Sequence, residues 1–385
     1  MTIIHTADWQ IGKPFAGVDD PHKRVLLRQE RINAIDRLGE TARKSGAEMV
    51  IVSGDLFDSP TPDKATVSAA CAAIGRIGLP VYAIPGNHDH GGPGSIWEQD
   101  FFLREGLELA KNFHILTSSE PLELEGAVLF PCPLMRRQDA ADPTVWLRSA
   151  GFSAFGSKPR IVIAHGSTQD FTTQDPGDED GAERGANRID LDRLPLGELD
   201  YIALGDWHGM KEITSKAWYP GTPELDRFPK GGDHAPGYAL AVTVGRGAVP
   251  AVEPVATARF SWHWVDHNLT DDAALGQLEE KMDSLLGSRA GEDLVRMALD
   301  GSLSIAHFTQ LESQLEKWLS RLLRLKLENR VRVAPSPEEI NALTQRASDP
   351  LISRVAAKLI EQMSQGGDEG ETARVALREL HARIS

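Results

Sequence analysis

The chain has 385 residues, with 41 Lys and Arg against 56 Asp and Glu, for a net charge of -15. A protein whose affinity came mainly from neutralising phosphates would carry basic surface, so this balance argues against an autonomous, tight duplex binder. It leaves catalysis on a phosphodiester open, through local basic patches, bound cations or a partner. No apolar run reaches the eighteen or so residues of a membrane span, so none is expected. The start, Met1-Thr2-Ile3-Ile4-His5, enters a strand pattern at once and no signal peptide is expected. Two cysteines, Cys71 and Cys132, build no disulfide framework and fit a reducing cytoplasm as buried small side chains.

In chain order, Ile3 to Ala7 reads as a short strand ending in Asp8-Trp9-Gln10. The spacing of Val25, Leu26, Ile32, Ile35 and Leu38 predicts a helix over Lys23 to Lys44, closed by Ser45-Gly46. Met49 to Val52 is a second strand and delivers Ser53-Gly54-Asp55-Leu56-Phe57-Asp58. A helix from Pro62 to Ile77, capped by Asp63 or Thr61 and stopped by Gly78, precedes a third strand, Val81 to Ile84, which ends in Pro85-Gly86-Asn87-His88-Asp89. This β-α-β-α-β order implies a largely parallel sheet, and ligand sites gather at the carboxyl ends of such strands.

Phe113 to Leu116, Leu122 to Leu124 and Ala127 to Phe130 suggest antiparallel strands of a second sheet. Arg160 to Ala164 ends in His165-Gly166-Ser167, and Tyr201 to Leu204 ends in Gly205-Asp206-Trp207-His208. Between them lies a loop holding Asp175, Asp178, Glu179, Asp180 and Glu183, read as a solvated segment. Tyr219-Pro220-Gly221-Thr222-Pro223 is a turn-rich stretch, and Tyr238 to Val244 closes the first domain. Boundaries are expected at 1–255, 256–333 and 334–385: a main domain, a small α+β domain and a helical tail for docking a partner. Within the small domain Phe308 to Glu328 reads as one amphipathic helix carrying Phe308, Leu311, Leu315, Trp318, Leu322 and Leu325 on one face.

The strand-end residues Asp8, Gln10, Asp55, Asn87, His88, His165, Asp206 and His208 carry carboxylate, amide and imidazole donors and no thiol. Such a set suits Mn²⁺, Fe, Zn²⁺ or Mg²⁺. The ordered set Asp8-Trp9-Gln10, Gly54-Asp55-Leu56-Phe57-Asp58, Gly86-Asn87-His88-Asp89, His165-Gly166 and Gly205-Asp206-Trp207-His208 resembles the five motifs of the calcineurin-like metallophosphoesterases. Within them it is similar to the bacterial SbcD-type DNA-repair exonucleases, through His5-Thr6-Ala7-Asp8-Trp9, the Asp55 motif and the Tyr219 to Pro223 stretch. The resemblance implies a four-layer αββα sandwich with a capping domain at 256–333, and two divalent metal ions, with Mn²⁺ favoured and Mg²⁺ the alternative. It implies one ion on Asp8, residue 10, Asp55 and His208, and the other on Asp55, Asn87, His165 and residue 206. It implies His88, held by Asp89, as the acid that protonates the leaving oxygen. It also implies a DNA substrate, an SbcC-like coiled-coil ATPase partner and a homodimer. Gln10 and Asp206 stand where the family usually has histidines, which leaves the first ion less secure.

Beyond the ligands, Trp9 and Trp207 are read either as stacking on a base or as walling the pocket. Lys13 is the better cation for a phosphate, ahead of Arg136 and Arg137. His5 reads as a core histidine, and Asp58 as a cap or orienting group. A small-molecule or nucleotide phosphodiesterase on the same fold is the first alternative. A metal-poor scaffold that regulates an ATPase is the second, motivated by Gln10 and the altered fifth motif.

Overall fold

The computed structural model describes residues 1–168, 186–228 and 235–384. The acidic loop expected at Asp175 to Glu183 lies outside them. The chain packs as two units, Met1–Phe260 and Ser261–Ser385.

The strands of the first unit are β1 (Thr2–Thr6), β2 (Met49–Val52), β3 (Val81–Ala83), β4 (Phe113–Ile115), β5 (Leu122–Glu123), β6 (Val128–Cys132), β7 (Arg160–His165), β8 (Ser167–Thr168), β9 (Arg188–Ile189), β10 (Tyr201–Gly205), β11 (Lys211–Thr214), β12 (Ala217–Tyr219), β13 (Tyr238–Thr243) and β14 (Ala251–Ala256). Two six-stranded sheets form, in the orders β14-β13-β1-β2-β3-β4 and β11-β12-β10-β7-β6-β5. The central strands β1 to β4 pair in parallel, as do β6, β7, β10 and β12. The segment at Phe113, expected in the second sheet, instead continues the first in parallel beside β3.

Side-chain alternation explains why these strands read as unbroken apolar runs. In β2, Val50 and Val52 face the helices while Met49 and Ile51 face the opposite sheet. In β7, Ile161 and Ile163 meet the first sheet while Val162 and Ala164 look outward to a second core. Both faces are covered, so no polar alternation survives. His5 falls on this inter-sheet face, fully buried, 2.8 Å from Tyr201 Oη and 3.1 Å from Ser53 Oγ. Burial pushes its imidazole down to about 3, which suits a neutral core group.

Three helices cover the outer face of the first sheet: α1 (Pro21–Lys44), α2 (Lys64–Ile77) and α3 (Asp100–Leu109). Asp20 caps α1 and Asp63 caps α2, each accepting backbone N–H groups, and Gly78 ends α2 at φ 75°. Val25 and Leu26, expected on the apolar face of α1, are exposed; its buried stripe is Leu27, Ile35 and Leu38, joined by the charged Arg31. Over the second sheet, 3₁₀ turns at Val145–Ser149, Ser153–Phe155 and Leu191–Arg193 supply Leu147, Phe155 and Leu191 to the outer layer.

In the second unit β15 (Ser261–Leu269), α4 (Ala273–Leu286), β16 (Asp293–Leu303), α5 (Ile305–Arg321) and β17 (Arg324–Asn329) form a β-α-β-α-β unit. Its strands pair in parallel and alternate with the helices, an α/β order where an α+β one was expected, and β18 (Arg332–Val333) extends it beside β16. The single helix expected over Phe308 to Glu328 is two elements. After Arg321 the chain turns extended at Leu322 (ψ 146°), and Leu325 and Leu327 alternate with Arg324, Lys326 and Glu328. A period of two was hidden inside a stripe of leucines. The helices α6 (Pro337–Thr344), α7 (Pro350–Gln365) and α8 (Gly367–Ile384) pack within this unit: Leu343, Ala356 and Leu377 bury with Ile305. The Glu339 carboxylate accepts the N–H groups of Ile305 and Ala306 at 3.0 and 2.9 Å, which caps α5 from a later helix.

Candidate metal centre

The strand ends β1, β2 and β3 of one sheet and β7 and β10 of the other bring the motif residues together. The two leading loops are laddered: Asp8 N–H donates to Gly54 O at 3.1 Å and Gln10 N–H to Asp55 O at 2.9 Å. Asp8, Gln10, Asp55 and Asp206 all take left-handed backbone, at φ 53°, 42°, 54° and 105°. Non-glycine residues adopt this only where surrounding structure holds them, and such strain clusters at functional sites. Here the holder is Arg31, fully buried, whose guanidinium donates to the carbonyls of Trp9 (2.7 Å), Asp8 (3.1 Å) and Glu224 (3.0 Å). Thr222, from the Tyr219 to Pro223 stretch, donates its hydroxyl to the same Asp8 carbonyl at 2.9 Å. Close approach also requires glycine at two points. A Cβ at Gly86 would lie 2.1 Å from Asp55 Oδ1, and one at Gly54 2.2 Å from His165 Nδ1.

One side of the centre is built from acceptors. Asp8, Asp55 and His165 offer ligand atoms within 4.8 Å of one another, all buried. His165 Nδ1 lies 2.7 Å from Ser53 O; a carbonyl only accepts, so Nδ1 carries a hydrogen and Nε2 faces inward, where an ion would displace any proton on it. Nε2 sits 3.6 Å from Asp55 Oδ1 and 3.8 Å from Asp206 Oδ1. Asp206 is positioned by Ser167 Oγ, which donates to Oδ2 at 2.7 Å, while its own N–H donates to Asp8 Oδ2 at 3.2 Å. The Asn87 amide completes the ring. With its oxygen inward it meets acceptors alone, which a cation completes. With its nitrogen inward it donates to His165 Nε2 at 2.8 Å and to Asp55 Oδ2 at 3.0 Å. Burial, added to by Asp55 and Asp206, pushes Asp8 up to about 8. Burial lowers His165, but Asp55, Asp8 and Asp206 outweigh it and hold the imidazole up at about 9. A pocket that retains protons so firmly is one that a divalent cation relieves.

The other side differs. His208 Nδ1 donates to Asp226 Oδ2 at 3.1 Å, leaving Nε2 toward Asp8 Oδ1 at 3.9 Å and the Gln10 amide nitrogen at 3.3 Å. The Gln10 oxygen accepts from Lys13 Nζ at 2.9 Å. Lys13, the cation expected for a phosphate, reaches Gln10, Asp58 (3.4 Å) and Asp226 (3.3 Å). Burial lowers His208 to about 4, with Arg227 and Lys13 adding to it against Asp226.

His88 lies beside Asp55. Its backbone N–H donates to Asp55 Oδ1 at 2.9 Å, and its Nδ1 donates to the carbonyl of Asp58 at 3.0 Å, leaving Nε2 3.9 Å from Asp55 Oδ2. The expected partner Asp89 does not hold it. Asp89 is fully buried and accepts from Phe57 N–H at 3.0 Å and Gly86 N–H at 2.7 Å, stitching the second and third motif loops. Burial, then Asp55, pushes Asp89 up to about 7.

Of the residues expected to touch substrate, Trp9 is excluded from stacking. It is 1 % exposed in the helix-side core and donates its indole N–H to Thr6 Oγ1. Trp207 is half-buried against the outer core of the second sheet. Arg136 and Arg137 are exposed after β6. Sequence reasoning missed Arg31, Ser167 and Asp226. Arg31 did carry a signal: it is a cation at the helical spacing of Leu27, Ile35 and Leu38, on a stripe that must be buried.

These donors, three carboxylates, an amide and imidazoles with fixed tautomers, fit a hard or borderline divalent ion and the hydrolysis of a phosphoester beside His88. A solved crystal structure is similar at a TM-score of 0.36 and 10% identity, over 64% of this chain and 99% of its own, a likeness too slight to speak for function. Residues 1–233, which take in all five motifs, match the family described as calcineurin-like phosphoesterase, and the chain belongs to that family.

Proposed function

We propose that the chain is a metal-dependent DNA nuclease of the SbcD type, an exonuclease with internal cutting as a further activity to test, with two Mn²⁺ ions (Mg²⁺ as the alternative). The observation that carries this reading is the convergence of Asp8, Asp55, Asn87, His165, Asp206 and His208 from both sheets, with His88 against the shared Asp55. Divalent ions held there supply a bound water of lowered pKa and positive charge for the phosphate. The chain's own residues do the rest. Ser53 O and Asp226 fix the two imidazole tautomers, Arg31 and Thr222 hold the Asp8 loop, and His88 Nε2 gives its proton to the leaving oxygen.

The SbcD-type reading is supported by the Tyr219 to Pro223 stretch, whose Thr222 reaches the Asp8 carbonyl, and by a second unit following the first. A coiled-coil ATPase partner of the SbcC type, a homodimer and a cytoplasmic location belong to the same proposal. The net charge of -15 favours a nucleotide or other small phosphodiester as the competing substrate. The test is Mn²⁺-dependent cleavage of single- and double-stranded DNA, run beside cyclic and linear nucleotides, with wild type against Asp55→Asn. DNA cleavage lost in the variant is expected. Hydrolysis of bis(p-nitrophenyl)phosphate with every form of DNA left intact, or nucleotide turnover far above DNA cleavage, overturns it.

A further inference from the structure

The residues around Gln10 make one half of the centre unlike the other. An ammonium only donates, so the Gln10 atom 2.9 Å from Lys13 Nζ is its oxygen. The amide nitrogen then faces His208 Nε2 at 3.3 Å. Because Asp226 takes the hydrogen of His208 Nδ1, Nε2 holds the lone pair and accepts from Gln10. Lys13 is itself anchored by Asp226 Oδ2 at 3.3 Å and Asp58 Oδ1 at 3.4 Å, and its side chain is only 18% exposed. Two of the atoms that this half would offer an ion, Gln10 Oε1 and His208 Nε2, are therefore already satisfied by protein hydrogens. A permanent positive charge lies within hydrogen-bond distance of one of them. The opposite half brings ligand atoms of Asp8, Asp55 and His165 within 4.8 Å of one another, with no lysine or arginine paired to them among the described residues.

We propose that the centre is graded: one ion binds tightly at Asp8, Asp55, His165, Asn87 and Asp206, and a second position at Gln10 and His208 fills only at higher free metal. Lys13 sets the difference. An ion entering the second position must break the Lys13–Gln10–His208 chain and sit beside an ammonium anchored by two carboxylates. Losing a supporting contact around a metal ligand typically changes affinity about 10- to 100-fold, which is the scale of the grading. The inference rests on the reading of the site as a metal centre and goes beyond it by ranking the two positions.

The experiment is a titration of the full, metal-stripped chain with Mn²⁺, counting bound ions by mass spectrometry of the metal and following spin coupling by electron paramagnetic resonance. Wild type is expected to fill in two separated steps, first to one uncoupled ion and then to a coupled pair. Lys13→Met and Gln10→His are each expected to bring the second step to about 10-fold lower free Mn²⁺. A wild-type chain that takes two ions in one step overturns the grading and leaves the metal hydrolase standing. So does a second step unmoved in both variants while their circular dichroism is native. A chain that binds no ion at any concentration overturns both. The wild-type titration decides without either variant, should they fold poorly.

Discussion

His165 and His208 are the same side chain at the ends of adjacent strands, β7 and β10, and both are buried. Their neighbours send them apart. Three carboxylates hold His165 up at about 9 against the effect of burial, whereas burial with Arg227 and Lys13 takes His208 down to about 4. Each imidazole has its Nδ1 hydrogen fixed, one by a carbonyl and one by Asp226, so each turns Nε2 toward the centre. The difference teaches that ligand identity sets what a residue can donate, while the surrounding charge sets whether a cation is wanted there.

Replacing Asp55, the carboxylate that the resemblance places on both ions, breaks the comparison outright. Asp55→Asn is expected to remove bound metal from both positions and reduce hydrolysis to background, checked by metal content and turnover together. A variant retaining one full ion would mean that the halves do not share Asp55. His88→Ala replaces no expected ligand of either half and keeps the backbone N–H that Asp55 accepts. It should leave metal content unchanged and lower turnover by roughly 10²- to 10⁴-fold, the usual contribution of a general acid. Loss of metal in His88→Ala would make it a ligand instead.

Asp226→Asn sharpens the contrast by acting on one half alone. It weakens the hold on the His208 tautomer and one anchor of Lys13. Affinity at the second position should change by about 10- to 100-fold while the first is unmoved, read from the same Mn²⁺ titration. A first step that shifts equally would show one undivided site.

The smallest effect is on stability. In the folded chain Asp8 and His165 keep their protons to about 8 and about 9, above ordinary values of 3.8 and 6.5. Where the folded state binds more protons than the unfolded one, stability falls as pH rises. Metal-stripped protein should therefore melt at progressively lower temperature from pH 6.5 to 9, with Mn²⁺ flattening the trend. A melting temperature that holds or rises across that window without metal would mean that the acceptor-rich half is not proton-loaded.

Much of the site was legible because its chemistry is written in short contiguous runs. Gly54-Asp55 and Gly86-Asn87-His88 follow buried strands directly, and the parallel β-α-β-α-β order puts such ends on one rim. The partners of those residues were not legible. Asp89 looked like the holder of His88 because it is adjacent in sequence, yet the strand-to-loop bend turns it back to Phe57 and Gly86, and the carbonyl of Asp58 takes the role. Trp9 looked available because it follows a ligand, but Asp8 at φ 53° turns the chain so that the indole enters the core. The helix at Phe308 was overextended because leucines at 322, 325 and 327 satisfy both periods, and only pairing with β16 selects the strand.

What the sequence determined by itself was the inventory: which donors exist, which strands deliver them, and that Gln10 and Asp206 replace the usual pair. Those are properties of local pattern, and local pattern survives without coordinates. What only the tertiary structure decided was who satisfies whom. Lys13 on Gln10, Asp226 on His208, and Arg31 under the Asp8 loop span 3, 18 and 23 residues of chain respectively. Hydrogen bonds and charge act through a few ångströms of space, so the balance between the two halves of the centre follows from folding and not from order along the chain.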